Sequence, residues 1–549
     1  MIGVITNTSD HDVVSEFFEL FKTPWEFWRA GQHYDVLLCA GDYRPESDAK
    51  LLIVYAGRKT SGDEIAGQHN SCMLAYRDRQ LPTYGGTVTF GETDSVLLRE
   101  TDSGRCAAYL EHTGPNSEAR IGYDLFSEVR YLLTAGQPAA NAGIPALDLH
   151  IDFLRTLIVQ CGISLAEIPP VPEGAPFIVC LTHDVDHPSL RRHKWDHTAF
   201  GFLYRAICGS LLDLFRGRLS FADAITNWVA ALKLPFVYMG LAGDFWADFD
   251  TRYRAVEAGI PSTFFLIPYR DRPGQTLNGP APAFRAAGYG AQDLQATVQK
   301  LTNAGCEIGL HGIDAWLNDS AGREELAEIR RLTGNPETGV RMHWLYFDEN
   351  ASKQLENAGA AYDSTIGYNE TAGFRTGTTQ AYKPLAVDRL MELPLHAMDT
   401  ALFYPSHLGL SKKQADARLK DLAKAAAEFG GCFTINWHDR SLAPERLWGD
   451  SYRDLINDLK TRGAWFATAG QATAWFRKRR SATFEMEAAD GGRPSVKLSG
   501  YHEDGLPGLR LRVYSAPNGD RGEFANPREY ADVAIEERIE AAVVSEARR

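Results

Sequence analysis

Four short stretches of this 549-residue chain place titratable side chains where apolar runs end. The first is Thr182-His183-Asp184-Val185-Asp186-His187, directly after Phe177-Ile-Val-Cys-Leu181. Asp184 and Asp186 are two residues apart, so in extended backbone they share one face. Two carboxylates that close repel, unless a metal neutralises one and the other works as a base. The second stretch is Gly309-Leu310-His311-Gly312-Ile313-Asp314, and the third is Arg341-Met342-His343-Trp344, after Thr338-Gly-Val340. The fourth is Ile435-Asn436-Trp437-His438-Asp439-Arg440, after Cys432-Phe-Thr434. Each alone fits an ordinary polar turn. Four strand ends that each deliver His, Asp or Arg form a constellation, because the C-terminal ends of parallel strands face one site.

The elements that must carry these residues are legible around them. Phe177 to Leu181 is too short for a typical helix and suits a buried strand. Further strands are expected at Ser262 to Ile267, Glu307 to Leu310, Gly339 to Met342, Leu390 to Leu393, Cys432 to Trp437 and Ala464 to Ala467. Helical spacing falls at Phe249 to Ala258, Ala291 to Ala304, Arg323 to Leu332, Ser352 to Ala358 and Lys412 to Phe429. Gly259, Gly305, Gly359 and Gly430 follow four of these helices as stop signals. Repeated β-then-α order implies a parallel sheet with crossover helices. The proline-rich stretch from Ile168 to Pro176 reads as a linker. It separates this region, 177–478, from an N-terminal α/β domain over 1–168. Residues 481–549 read as a small C-terminal β appendage, with Val533 to Arg549 helical or frayed. An aromatic-rich helical insertion at 197–248 interrupts the alternation and is expected to pack over one side of the site rather than enter a membrane.

Composition narrows the classes. With 44% hydrophobic and 23% charged residues, the chain is neither disordered nor a disulfide-stapled miniprotein. A net charge of −14 makes nucleic acid a poor partner. The eight cysteines form no C-x-x-C pair, which removes a thiolate zinc knuckle and a redox motif. The N-terminus lacks the pattern of a signal peptide and no run of 18 apolar residues occurs, so a cytoplasmic location without a transmembrane segment is expected.

The order and wording of residues 177 to 478 resemble the polysaccharide deacetylase (NodB-homology) family, carbohydrate esterase family 4. The likeness rests on the Asp184-Val-Asp186 opening, Gly259-Ile-Pro-Ser-Thr-Phe-Phe265, His311, Arg341 and Trp437-His438-Asp439. It implies a distorted (β/α) barrel, one divalent metal, usually zinc, and removal of an acetyl group from an N-acetylated sugar or polysaccharide intermediate. It also implies roles: Asp184 as general base, Asp186 and His311 as metal ligands, His438 as the acid that protonates the leaving nitrogen, and Arg341 as the residue that orients the base. The chain departs from the family where the second histidine of the H-x-x-x-H metal motif would fall, because that residue is Ala315. Alanine has no donor, and a catalytic zinc wants about three protein ligands. His343 is the nearest substitute, with Asp314 the runner-up.

A carboxylate must fix the tautomer of His438, and Asp363 and Asp399 are the candidates. Arg375, in the Gly-rich loop Gly373 to Thr378, together with Trp437 and Asp399, is expected to contact substrate. Two other functions fit the same residues: an amidohydrolase on a small non-sugar amide, and a glycan-binding protein without catalysis.

Overall fold

Eight consecutive buried residues, Ile178–Val185, form strand β1. Such a run has no solvent face, so it must sit inside a sheet covered on both sides. A computed structural model shows that it does; it describes residues 1–41, 48–194, 196–486, 494–498, 505–515, 530–535 and 538–539. The chain forms two compact units: Ala175–Gly373 with Ala381–Ala474, and Met1–Gly174 with Phe374–Gln380 and Trp475–Arg549.

The first of these holds all four polar strand ends. Its strands are β1, β2 (Thr263–Leu266), β3 (Glu307–Gly312), β4 (Val340–Met342), β5 (Ala397–Met398), β6 (Cys432–Asn436) and β7 (Trp465–Phe466). They hydrogen-bond in the order β4-β3-β2-β1-β6-β5, with β7 beside the start of β1, and every ladder is parallel. Register aligns the C-terminal ends: Asp184 pairs with Phe265, His311 with Arg341, and Met398 with Asn436. Gly309 is required by close packing, since a Cβ there would lie 2.6 Å from the Phe265 ring and 3.1 Å from the Gly339 carbonyl.

The ladders do not close into a ring. Between β4 and β5 the chain offers only isolated bridges, Val340 to Asp363 and Asp363 to Glu392, so the sheet is a curled half-barrel. The strand expected at Leu390 to Leu393 is absent for this reason: Leu393 to Leu395 contains Pro394, and only Glu392 keeps bridge geometry.

The insertion folds as helix α1 (His197–Tyr204), a π-helical turn at Arg205–Gly209, helix α2 (Ser210–Phe215) and helix α3 (Phe221–Tyr238). The run His197–Phe215 is long and apolar enough to cross a membrane by length and composition only, and a single such run is weak evidence for a span.

The other unit is built on an eleven-stranded mixed sheet. Its parallel half joins Ile2–Ile5, Val36–Ala40, Leu51–Tyr55 and Asn116–Ile121, and an antiparallel half follows. The described residues from Trp475 onward group with this unit. Strand Arg510–Tyr514 pairs with Leu165–Glu167, and the buried Arg479 donates to the carbonyls of Ile168 and Leu20 at 2.9 Å each. Strands form at Ala482–Met486 and Pro494–Leu498. The expected helix from Val533 onward lies largely outside the described residues, and the described part, Tyr530–Ala534, is strand.

Candidate metal centre and active site

The ends of β1, β3 and β4 bring Asp186, His311 and His343 together, with one ligand atom from each lying within 4.8 Å of the others. His311 Nδ1 is 2.9 Å from the Arg341 carbonyl and His343 Nε2 is 3.3 Å from the Arg285 carbonyl. A ring N–H donates to each carbonyl, which leaves His311 Nε2 and His343 Nδ1 as lone-pair atoms, 3.0 Å apart. Asp186 Oδ1 stands 3.3 Å from the first and 3.4 Å from the second, buried and without a hydrogen bond among the described residues. A tetrahedral ion with bonds of about 2.0–2.1 Å spaces its ligands by roughly 3.3 Å. The three atoms therefore fit one metal ion. Burial lowers the pKa of His343, which favours the neutral ring a ligand needs.

Ala315 is fully buried and offers nothing to the site. Asp314 points elsewhere, accepting the Gln275 N–H at 2.8 Å. The third donor comes from the neighbouring strand, through an uncommon turn: Trp344 (φ +65°) and Leu345 (φ +53°) both occupy the left-handed region directly after His343. Each such residue carries on the order of 1 kcal/mol of strain, which is common where a backbone is bent to aim side chains.

Asp184 stands beside the triad. Arg341 donates to its Oδ1 at 3.1 Å and Asn436 Nδ2 to its Oδ2 at 2.8 Å. Arg341 is itself buried and held by Thr182 Oγ1 (2.6 Å), the Ser364 carbonyl (2.9 Å) and Ser364 Oγ (2.9 Å). The carboxylate is thus clamped on two sides, its orientation set before any substrate arrives.

His438 Nδ1 meets Asp399 Oδ1 at 2.6 Å, and Asp399 Oδ2 accepts the His438 backbone N–H at 2.8 Å. Ser441 Oγ donates to Asp399 as well. Burial disfavours the imidazolium, but the Asp399 carboxylate outweighs it, with help from Asp186 and Asp184, and pushes the pKa up to about 10. The free Nε2 faces the cavity, 3.8 Å from Asp186 Oδ2. Asp363, the other candidate partner, bonds Thr365 instead.

These groups line one cavity of about 470 Å³, with Phe284, Trp344, Tyr346 and Tyr404 as aromatic wall. Arg440 and Arg446 also line it. Arg446 is engaged by Tyr404 and Glu445, whereas the Arg440 guanidinium lies over the Trp246 ring at 5.1 Å with no carboxylate within ion-pair distance among the described residues.

Three expected substrate contacts do not reach this cavity. Trp437 is fully buried, stacked on Tyr452 at 5.3 Å. Asp399 is also fully buried and positions His438. Arg375 lies in the other unit, packed on Gly136. Conversely, Asn436, Arg440 and the Trp344-Leu345-Tyr346 run were not singled out from the sequence. The signal was present in their places, immediately beside His438 and His343, but adjacency does not tell which neighbour turns inward.

No protein-family model matches the chain, and no curated protein does. Among solved structures, Agd3, described as a novel carbohydrate deacetylase, is 10% identical, with 93% of this chain and 92% of that one covered and a TM-score of 0.36. A family 4 acetyl xylan esterase from Clostridium thermocellum, in complex with a cobalt ion, is 16% identical over 54% of this chain and 91% of its own, with a TM-score of 0.24. The Puue allantoinase is 14% identical over 56% and 91%, with a TM-score of 0.33. The activity is therefore read from the side chains themselves.

Proposed function

We propose that the protein is a metal-dependent hydrolase that removes an acetyl group from an N-acetylated sugar. The observation that carries this is the arrangement of three kinds of group around one cavity. A metal-competent Asp186-His311-His343 triad shares the cavity with a clamped carboxylate, Asp184, and a carboxylate-backed imidazolium, His438. Amide hydrolysis needs those parts: a base for water, an electrophilic centre, and an acid for the departing nitrogen. The aromatic wall suits the apolar face of a sugar ring.

A divalent metal held by the triad, zinc by the chemistry of a two-nitrogen, one-oxygen set, supplies Lewis-acid activation of water and of the acetyl carbonyl. Asp184 accepts the proton of the attacking water, and Arg341 and Asn436 keep its oxygens aimed while it does so. His438 then donates from Nε2 to the leaving nitrogen, and Asp399 steadies the charge on its ring. The trigonal carbonyl becomes tetrahedral as water adds, and it collapses to acetate and the free amine.

The test is acetate release from N-acetylated sugars by metal-loaded protein, compared with ring opening of a small cyclic amide. Acetate release that chelation abolishes supports the reading. Hydrolysis of the cyclic amide alone moves the protein to the amidohydrolases, and neither activity in metal-loaded protein leaves a binding protein.

A further inference from the structure

The insertion carries two apolar faces, and its fold covers one. Phe202 and Ala206, and across from them Ala230, Ala231 and Leu234, are buried with Leu190, Trp246 and Ala443. Asn227 fastens this inner face, donating to Ser210 Oγ at 2.9 Å and accepting the Glu445 N–H at 2.7 Å. The outer face is as apolar as the inner. Phe200, Tyr204, Ile207, Leu211 and Phe215 run along α1, the π-helical turn and α2 at helical spacing, and Phe221, Ile225, Val229, Leu232 and Phe236 run along α3. All are exposed, Phe215 by 87% and Leu232 by 75%. Thirteen of the eighteen exposed large hydrophobic side chains among the described residues fall between 200 and 241, so this is one patch and not scatter.

Its charge is equally one-sided. The exposed charged residues between 197 and 241 are Arg216, Arg218 and Lys233, all cations, while Asp213 and Asp223 are only half-exposed. In a chain of net charge −14, an exposed surface of large apolar residues whose fully exposed charges are all cations matches an anionic lipid surface. A symmetric pairing of two copies would instead set these cations against each other. A crossing orientation is excluded by the inner face, which is packed on protein and tied by the Arg205–Glu445 ion pair.

We propose that the outer face of α1, α2 and α3 docks on anionic phospholipid, lying along the bilayer surface and holding the protein there peripherally. The patch begins at the cavity: His197, the first residue of α1, lines it, and its ring lies 5.8 Å from Phe284, which is itself exposed. Docking therefore brings the cavity mouth to the lipid interface. This inference does not depend on the reaction assigned above.

The test is flotation of the full-length protein with vesicles of phosphatidylcholine alone or mixed with phosphatidylglycerol, at low and high salt. Wild type is expected to float with the anionic vesicles, less with the neutral ones, and less at high salt. Phe215→Ser with Leu232→Ser is expected to weaken partitioning on the order of tenfold or more, since two side chains leave the acyl boundary. Arg216→Glu with Arg218→Glu is expected to remove the preference for anionic lipid, on the order of fivefold per charge. Both pairs are exposed, and melting temperatures near wild type confirm the fold. Failure of folded wild type to float with any vesicle overturns the proposal. So does concentration-dependent self-association that Phe215→Ser abolishes in a protein that ignores lipid, which assigns the face to a second copy.

Discussion

Replacing His343 by alanine tests the metal centre most directly. Its Nδ1 lies 3.0 Å from His311 Nε2 and 3.4 Å from Asp186 Oδ1, and backbone carbonyls fix the tautomers of both rings. The donors are therefore preset, and truncation removes one ligand while leaving the other two in place. Structural zinc sites of four ligands bind with about 10–16 kcal/mol, or roughly 2.5–4 kcal/mol per ligand. Losing one of three should thus weaken affinity on the order of 10²- to 10³-fold. The assay is competition for Zn²⁺ against a chromophoric chelator, starting from chelator-stripped protein. Wild type should take up one equivalent per chain. Asp184→Asn should bind nearly as wild type, because the Asp184 oxygens are engaged by Arg341 and Asn436. Wild-type affinity in a folded His343→Ala variant would refute the triad. Metal loss in Asp184→Asn would make that carboxylate a ligand and not a base.

Four further outcomes follow from the same geometry. With metal retained, Asp184→Asn should lose activity on the order of 10²-fold or more, and a change confined to KM would count against its role as base. His438→Ala should depress kcat more than it raises KM, because an acid acts mainly as the C–N bond breaks; unchanged kcat in folded, metal-loaded protein sinks that assignment. Arg440→Ala should raise KM for substrates bearing a carboxylate and leave neutral ones unchanged, since Arg440 lines the cavity with no carboxylate within ion-pair distance among the described residues; equal effects on both would mean that it only shapes the wall. Burial pushes Asp148 up to about 7 despite hydrogen bonds from Thr378 and Thr379. A carboxyl raised above its unfolded value destabilises the fold progressively as pH rises from about 4 through 7. Relative to Asp148→Asn, wild type should therefore lose on the order of 4 kcal/mol across that window in urea unfolding, and a stability gap independent of pH refutes the shift.

Local pattern in the sequence determined the elements and much of the site. A buried strand is a continuous apolar run, and the polar residues that break it must lie at its end. Asp184, His311, Arg341 and His438 could thus be placed at one edge of a parallel sheet before any coordinates. What the sequence left open were pairings between distant segments. Ala315 leaves a gap in the metal motif, and the 3.0 Å approach of His343 to His311 depends on the β3–β4 register and the left-handed turn at Trp344. The partner of His438 is Asp399 and not Asp363, a choice made by β5 lying beside β6. Trp437, expected to contact substrate, is core, because alternation along an extended segment turns neighbours to opposite faces. The insertion shows the limit most plainly. Its helices carry large apolar residues on two faces, so their sequence alone does not say which face is covered, and only the fold shows which remains open. Periodicity is a property of a few adjacent residues, whereas burial and register are settled by segments tens to hundreds of residues apart.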